Sequence, residues 1–325
     1  ILVIISENRN PVKTIAWCMV LTFMPVIGLL LYILFGMDNR HRRQIKDEDL
    51  SRLKGITEIT QSDDILSEMS VPQKPLADML RKMNKSFLLS GNDVEIITDF
   101  QTMSDRLIAD IEGARHHINM LFFKFEDDAA GSRIADALIR KSEEGDLVRL
   151  IYDDAGNLMV PRRFYSKLRK HGIQVRGFIR IFLPILSRDY NSRNHRKVVV
   201  IDGRVGYMGG MNIAQRYAEG LKWGIWRDTH MRITGPAVSE LQTSFLTDWK
   251  FTKGDEPDLA PMYPYNPPCG NTLMQIVTGG PMDKWNVMMQ AYMTAIASAR
   301  HHAYLQSPYF IPPEPIMKVL QNAAL

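Results

Sequence analysis

The sequence predicts an α/β protein: a mixed β-sheet flanked by helices in two pseudo-repeated lobes, the second cut short, with a transmembrane helix ahead of them. Three observations carry this. From residue 87 onward, apolar stretches of strand length alternate with stretches of helical periodicity. A four-residue string recurs 185 residues further on in the same local context. An uncharged run near the N-terminus has the ~20 residues needed to cross a bilayer core.

Chain order gives each element its reason. Ile1-Leu2-Val3-Ile4-Ile5 reads as the tail of a longer apolar segment that begins upstream. After a short polar loop the run 14–37 carries no charge, and Arg40, Arg42, Arg43 and Lys46 follow it at once. The preceding loop offers only Arg9 and Lys13, so the positive-inside bias puts everything after Met37 in the cytoplasm. Residues 1–37 are therefore read as a membrane anchor, the end of one span plus a full second span, and 38–86 as a charged juxtamembrane connector.

Residues 87–255 are read as the first lobe. Strand character is expected at 94–98, 118–125, 147–152 and 198–201, and helices at 103–114, 134–141 and 162–171, the last ended by Gly172. Ala114-Arg115-His116-His117 returns as Ala299-Arg300-His301-His302, each time after a helical stretch and before an apolar strand. Residues 256–325 are accordingly a Pro-rich linker and the start of a second lobe.

Composition narrows the classes. The 325 residues are 45% hydrophobic, which allows packed cores and argues against disorder. A formal charge of +4 suits an anionic partner without choosing which. The two cysteines, Cys18 and Cys269, form neither a disulfide framework nor a metal knuckle.

The chemistry concentrates in Asn194-His195-Arg196-Lys197, the apolar run to Ile201, Asp202-Gly203, and then Gly209-Gly210-Met211-Asn212. This spells HxK(x4)D(x6)GGxN. Residues i and i+2 of a strand share a face, so His195 and Lys197 can point at one phosphate. Asp202-Gly203 is a hairpin signal. Gly209 and Gly210 are expected to let backbone N–H groups approach an anionic oxygen, and Asn212 to donate its amide to the same phosphate. A neutral imidazole can attack phosphorus, an ammonium can neutralise non-bridging oxygens, and a carboxylate such as Asp202 can orient a histidine. The arrangement calls for no metal and no cofactor. Taken singly, each of these residues would be read as structural. Their common register points to a site.

At these residues the chain resembles the phospholipase D superfamily, from about Phe87 to the C-terminus. Trp226-Arg227-Asp228-Thr229-His230, Gly235-Pro236-Ala237-Val238, Phe245, Asp248-Trp249 and Gln306-Ser307-Pro308-Tyr309-Phe310-Ile311-Pro312 make it similar to bacterial cardiolipin synthases in particular, as does the two-span anchor. The resemblance implies the phospholipase D fold and a multi-pass protein of the bacterial inner membrane with a cytoplasmic catalytic part. It implies transfer of a phosphatidyl group between two phosphatidylglycerol molecules, giving cardiolipin and glycerol through a phosphohistidine. The partners implied are phosphatidylglycerol and membrane phospholipid, not nucleic acid. A second HxK(x4)D half is expected in a C-terminal part beyond Leu325, its histidine serving as general acid. His195 is the nucleophile by its place in the family pattern, although the residues themselves leave the two histidines interchangeable.

Rival readings remain at this level: a phospholipase D-type hydrolase or another phosphatidyltransferase, a nuclease that completes a single half-site by dimerising, or an inactive membrane scaffold. His116, His117, His301 and His302 are read as structural residues of the repeat.

Overall fold

The computed structural model describes residues 4, 11–32, 36, 73–179, 193–222, 224–280, 286–307 and 309–325. Near the N-terminus the apolar run forms α1 (Pro11–Phe23) and α2 (Pro25–Leu31). Pro25 lacks an N–H and its ring crowds the preceding turn, so the helix breaks at Met24, with φ −135° and ψ 67°. The single span expected over 14–37 is thus divided. No helix among the described residues is long and apolar enough to cross a membrane. Val12, Phe23 and Val26 nonetheless turn 75%, 78% and 81% of their surface outward. The end of the run at Met37, the basic cluster from Arg40 to Lys46 and most of the connector lie outside the described residues.

After α3 (Lys74–Asn84) comes the α/β body. Its elements are β1 (Leu88–Ile97), α4 (Phe100–Glu112), β2 (His117–Phe122), α5 (Ala129–Glu143), β3 (Leu147–Asp153), α6 (Arg162–Lys170), β4 (Gln174–Phe178), β5 (Lys197–Ile201), β6 (Val205–Gly209), α7 (Gln215–Glu219), β7 (His230–Thr234), α8 (Val238–Phe251) and β8 (Thr272–Gln275). The eight strands form one mixed sheet in the order β4-β3-β2-β5-β6-β7-β1-β8. Helix starts follow side-chain chemistry: Asp99 accepts from the N–H of Thr102 at 2.8 Å, and Asp128 from that of Gly131 at 2.9 Å.

Strand parity divides the core into two layers. Met120, Phe122, Val199, Ile201 and Tyr207 pack with Met103, Leu107, Ile134 and Leu138 of the helices on one face. On the other face Leu121 and Ile151 meet Phe245, Leu246 and Trp249 of α8, while Val198, Val200 and Ile233 meet Val238 and Leu241. Both faces being covered explains why β5 reads as an unbroken apolar run.

β2 and β3 pair in parallel, as do β3 and β4, whereas β5, β6 and β7 alternate antiparallel from β2 onward. One edge therefore gathers the ends of β2, β3, β4 and β6 and the starts of β5 and β7. At the opposite edge Asp202 and Gly203 turn β5 into β6 with φ of 52° and 62°, the paired left-handed conformation that two-residue hairpins favour.

The echoed string is flanked as expected by helices, α9 (Val287–Ala297) before it and α10 (Glu314–Ala324) after it. The strand expected after His302 is not formed, because residues 303–307 and 309–312 have no ladder partner. β8 instead joins the first sheet, pairing Leu88 with Gln275 and Leu89 with Met274.

Candidate active site

Lys197 opens β5 opposite Phe122 of β2. The i, i+2 parity anticipated for His195 and Lys197 is met: the Lys197 ammonium donates to the His195 carbonyl at 2.7 Å and stands 3.2 Å from its Nδ1. Phe123, one residue past β2, floors the pair. Its ring centroid lies 4.4 Å from that of His195 and 5.2 Å from the Lys197 nitrogen. A cation held over an aromatic face is stabilised without a counter-charge that would compete with an anionic ligand.

Two carboxylates fix the approach to β5. Asp153, at the end of β3, accepts from the N–H of Asn194 at 2.9 Å and from that of Gly156 at 2.8 Å. Asp248 of α8 takes Arg196 through two bonds of 2.7 Å, and Arg196 also donates to the Gly279 carbonyl at 2.9 Å. His195 is held on both flanks, by Asn194 and by Arg196.

Burial sets the charge states. Lys197 is 3% exposed, and desolvation brings its pKa down to about 8 against the opposing fields of Asp228 and Asp153. Burial, then the Lys197 charge, also hold His195 below its ordinary value, with Asp228 acting the other way. At neutral pH the pair is a neutral imidazole beside an ammonium. Desolvation raises the pKa of Asp153 while its two N–H donors oppose the rise.

The structure gives the other expected site residues the following partners. Asp202 lies at the far end of β5, about 20 Å from His195 at ~3.3 Å per residue, and cannot orient it. Its carboxylate accepts from the N–H groups of Arg115, His116 and His117, each at 2.9 Å, and so caps the start of β2. Gly209 and Gly210 are small because β7 comes close. A Cβ on Gly209 would stand 2.5 Å from the His230 Cα, and one on Gly210 would stand 2.0 Å from an Asp228 carboxylate oxygen. The Gly210 N–H is spent on the Thr229 carbonyl at 2.8 Å, so it is not aimed at a ligand. Asn212 is 6% exposed; its carbonyl accepts from the Lys124 N–H at 3.1 Å and its amide donates to the Tyr217 hydroxyl at 2.8 Å. It ties the loop after β2 to α7.

His117 is fully buried, its pKa brought down to about 4 mainly by desolvation, which fits a structural reading. His230 closes the segment 226–230 on which the family resemblance partly rests. It pairs across from Gly209, is 0% exposed, stacks on Phe122 at 6.5 Å, and has its pKa lowered to about 3 by burial and by Lys197. Asp153 and Phe123 were missed as site residues. The signal for Asp153 was its place at the C-terminal end of an apolar strand, where α/β sheets collect their ligands.

Beside the pair opens a cavity of about 700 Å³ whose lining includes Phe123, Lys124, Ala155, Met159, Pro161 and Arg193. Glu126, Asp127 and Asp128 line it too, so an apolar wall stands beside a rim that carries both signs of charge.

A neutral histidine and a buried lysine on adjoining positions, at the edge of a mixed sheet covered on both faces, define a phospholipase D-like protein. Residues 107–249 match the family described as cardiolipin synthase, PLD-like domain, and residues 1–36 match the phospholipase D-nuclease N-terminal family. The major cardiolipin synthase ClsA of Bacillus subtilis is 36% identical over 341 residues, covering 100% of this chain and 70% of that protein. The cardiolipin synthase of Oceanobacillus iheyensis is 35% identical over 332 residues, covering 99% of this chain and 69% of that protein. In fold, the chain is similar to phosphatidylserine synthase of Haemophilus influenzae, with a TM-score of 0.50 and 15% identity over 77% of this chain and 63% of that one. The chain belongs to the cardiolipin synthase family of phospholipase D-like proteins.

Proposed function

We propose that this protein is a cardiolipin synthase, transferring a phosphatidyl group from one phosphatidylglycerol to the glycerol hydroxyl of another. The observation that carries the reading is the His195–Lys197 pair, a nucleophile kept neutral beside a cation kept poorly solvated. Whole-chain similarity to proteins named cardiolipin synthase supports the choice of substrate.

In the resting geometry the ammonium can only donate, so the Nδ1 lone pair of His195 accepts and the ring proton stays on Nε2. A phosphate oxygen entering the site competes for that ammonium and frees the imidazole lone pair. The ring nitrogen then attacks phosphorus; the P–N bond forms as the bond to the glycerol oxygen breaks. Lys197 balances charge on the non-bridging oxygens. The leaving oxygen takes its proton from the histidine of a second HxK(x4)D half. In the return step that histidine removes the proton from the incoming glycerol hydroxyl, whose oxygen forms the new P–O bond as the P–N bond breaks. Gly209, Gly210 and Asn212 serve this site by shaping it around Asp228 and the loop after β2.

The uncharged run 14–37 and the basic residues after it support anchoring in a bacterial inner membrane, with the site on the cytoplasmic side. By this reading residues 1–37 anchor, 38–86 connect, 87–255 carry the first half-site and 256–325 lead into a second lobe.

The test is expression from the complete gene in a cardiolipin-deficient bacterium, following labelled phosphatidylglycerol with and without His195→Ala. Cardiolipin and glycerol from the parent and neither from the variant are expected. Phosphatidic acid as the sole product contradicts the transferase reading.

A further inference from the structure

Among the described residues between 98 and 255, the exposed large apolar side chains are Leu158, Met159, Leu221, Ile225 and Trp226. All five lie on two loops, β3 to α6 and α7 to β7, and both loops sit at the sheet edge that carries His195 and Lys197. Met159 is 95% and Ile225 86% exposed. At the opposite edge the described turn residues 113–116, 144–146, 171–173 and 202–203 expose no large apolar side chain, and Tyr265, whose neighbours Pro264 and Asn266 pack on Gly203, stands there alone at 76% exposed.

Charge follows the same division. The segments 158–163 and 221–227 hold Arg162, Arg163, Lys222 and Arg227, all exposed, and neither holds an aspartate or glutamate. Apolar tips flanked by these cations match the two layers of an anionic bilayer surface, hydrocarbon below and phosphate above. A water-facing loop gains nothing from exposing Met159, and a protein partner would not by itself require cations free of acids on both loops.

Trp226 shows how one loop is stiffened. Its ring stacks on Tyr217 at 5.4 Å, with the Arg216 guanidinium 5.8 Å from its centroid. Tyr217 accepts from Asn212, which holds the loop after β2. The tip at Leu221–Ile225 is thereby referenced to the strand ends that carry the site.

We propose that the loops 158–163 and 221–227 form a docking surface for an anionic lipid bilayer, seating the mouth of the His195 site on the headgroup layer. The proposal rests on the lipid-phosphate reading of that site, but its test does not use catalysis.

The whole protein, with Cys18→Ser and Cys269→Ser, is reconstituted as Met159→Cys, Ile225→Cys or Arg115→Cys and labelled with an environment-sensitive fluorophore. Arg115 is exposed at the opposite edge and serves as the dry-land control. In vesicles of phosphatidylglycerol and phosphatidylcholine, positions 159 and 225 are expected to shift to the blue and to be quenched by nitroxide-bearing lipid. Position 115 is expected to stay wet. The shift should shrink in phosphatidylcholine alone and in high salt. A label at 159 as wet as that at 115 overturns the proposal. So does a label shielded from aqueous iodide but out of reach of the lipid nitroxide, which would assign the surface to a protein partner. Product analysis on the same preparation separates the two readings: docking without transfer sinks the enzymatic one alone, and transfer without docking sinks this one alone.

Discussion

The ammonium of Lys197 stands 3.2 Å from Nδ1 of His195, in a pocket that leaves Lys197 only 3% exposed. Burial lowers the proton affinity of both groups, and the Lys197 charge lowers that of His195 further. Burial first, and this contact second, set the two ionisations that govern phosphate attack.

This contact fixes a pH profile. Lys197 is charged below about 8 and loses its proton as pH rises through that value, so kcat/KM should fall on the alkaline side there. His195 is neutral down to below its ordinary value of 6.5, so the acid limb lies under that pH. Lys197→Arg should slow the reaction and carry the alkaline limb out of range, since guanidinium does not deprotonate. An alkaline limb unmoved in that variant contradicts the assignment.

Asp202 should govern stability and not rate. Asp202→Ala removes the acceptor of three N–H groups and should cost about 3 kcal/mol. Asp202→Asn keeps one acceptor oxygen and tolerates the left-handed φ of 52°, so it should cost less. Denaturant midpoints check the order of the two. A loss of kcat per folded molecule in Asp202→Asn would restore a catalytic role.

How far these roles were legible depends on the distance over which sequence spacing translates into space. His195 and Lys197 were readable because residues two apart along an extended segment share a face. Asp202 was misread because five strand residues carry it to the other end of the sheet. What the glycines make room for, His230 at the start of β7 and Asp228 just before it, comes from a neighbouring segment whose pairing no local pattern discloses. Asp153 escaped for the same cause, being a lone carboxylate until β3 is set beside β5's approach. The kink at Pro25 was in plain view, but an uncharged run invites counting length before asking where the backbone hydrogen bonds go.

Asp153 should act on His195 through the backbone. Asp153→Asn keeps the shape but turns one acceptor oxygen into a donor facing an N–H. The approach to β5 should loosen, and a displacement of even ~1 Å at the reacting centre costs roughly a hundredfold in rate. The expected result is a fall in kcat with the alkaline limb still near that of the parent. A fall in stability with kcat intact would reduce Asp153 to a structural tie.

Acid should weaken the fold through His117 and His230. Their folded pKa values, about 4 and about 3, lie below the ordinary 6.5. As pH falls through 6.5 the unfolded chain takes up protons that the folded chain refuses, so stability is lost progressively from there down to the folded values. Between pH 7 and pH 5 each histidine should cost about 2 kcal/mol. Denaturant midpoints that do not move over that interval would show that the two rings are hydrated or paired.

The central claim, that His195 is the group that takes phosphorus, is tested most directly by rapid denaturing quench of the whole enzyme with acyl-labelled phosphatidylglycerol, followed by peptide mapping. Label on the peptide carrying His195, absent in His195→Asn, is the predicted result. Label on another residue, or label that persists in the variant, contradicts the account.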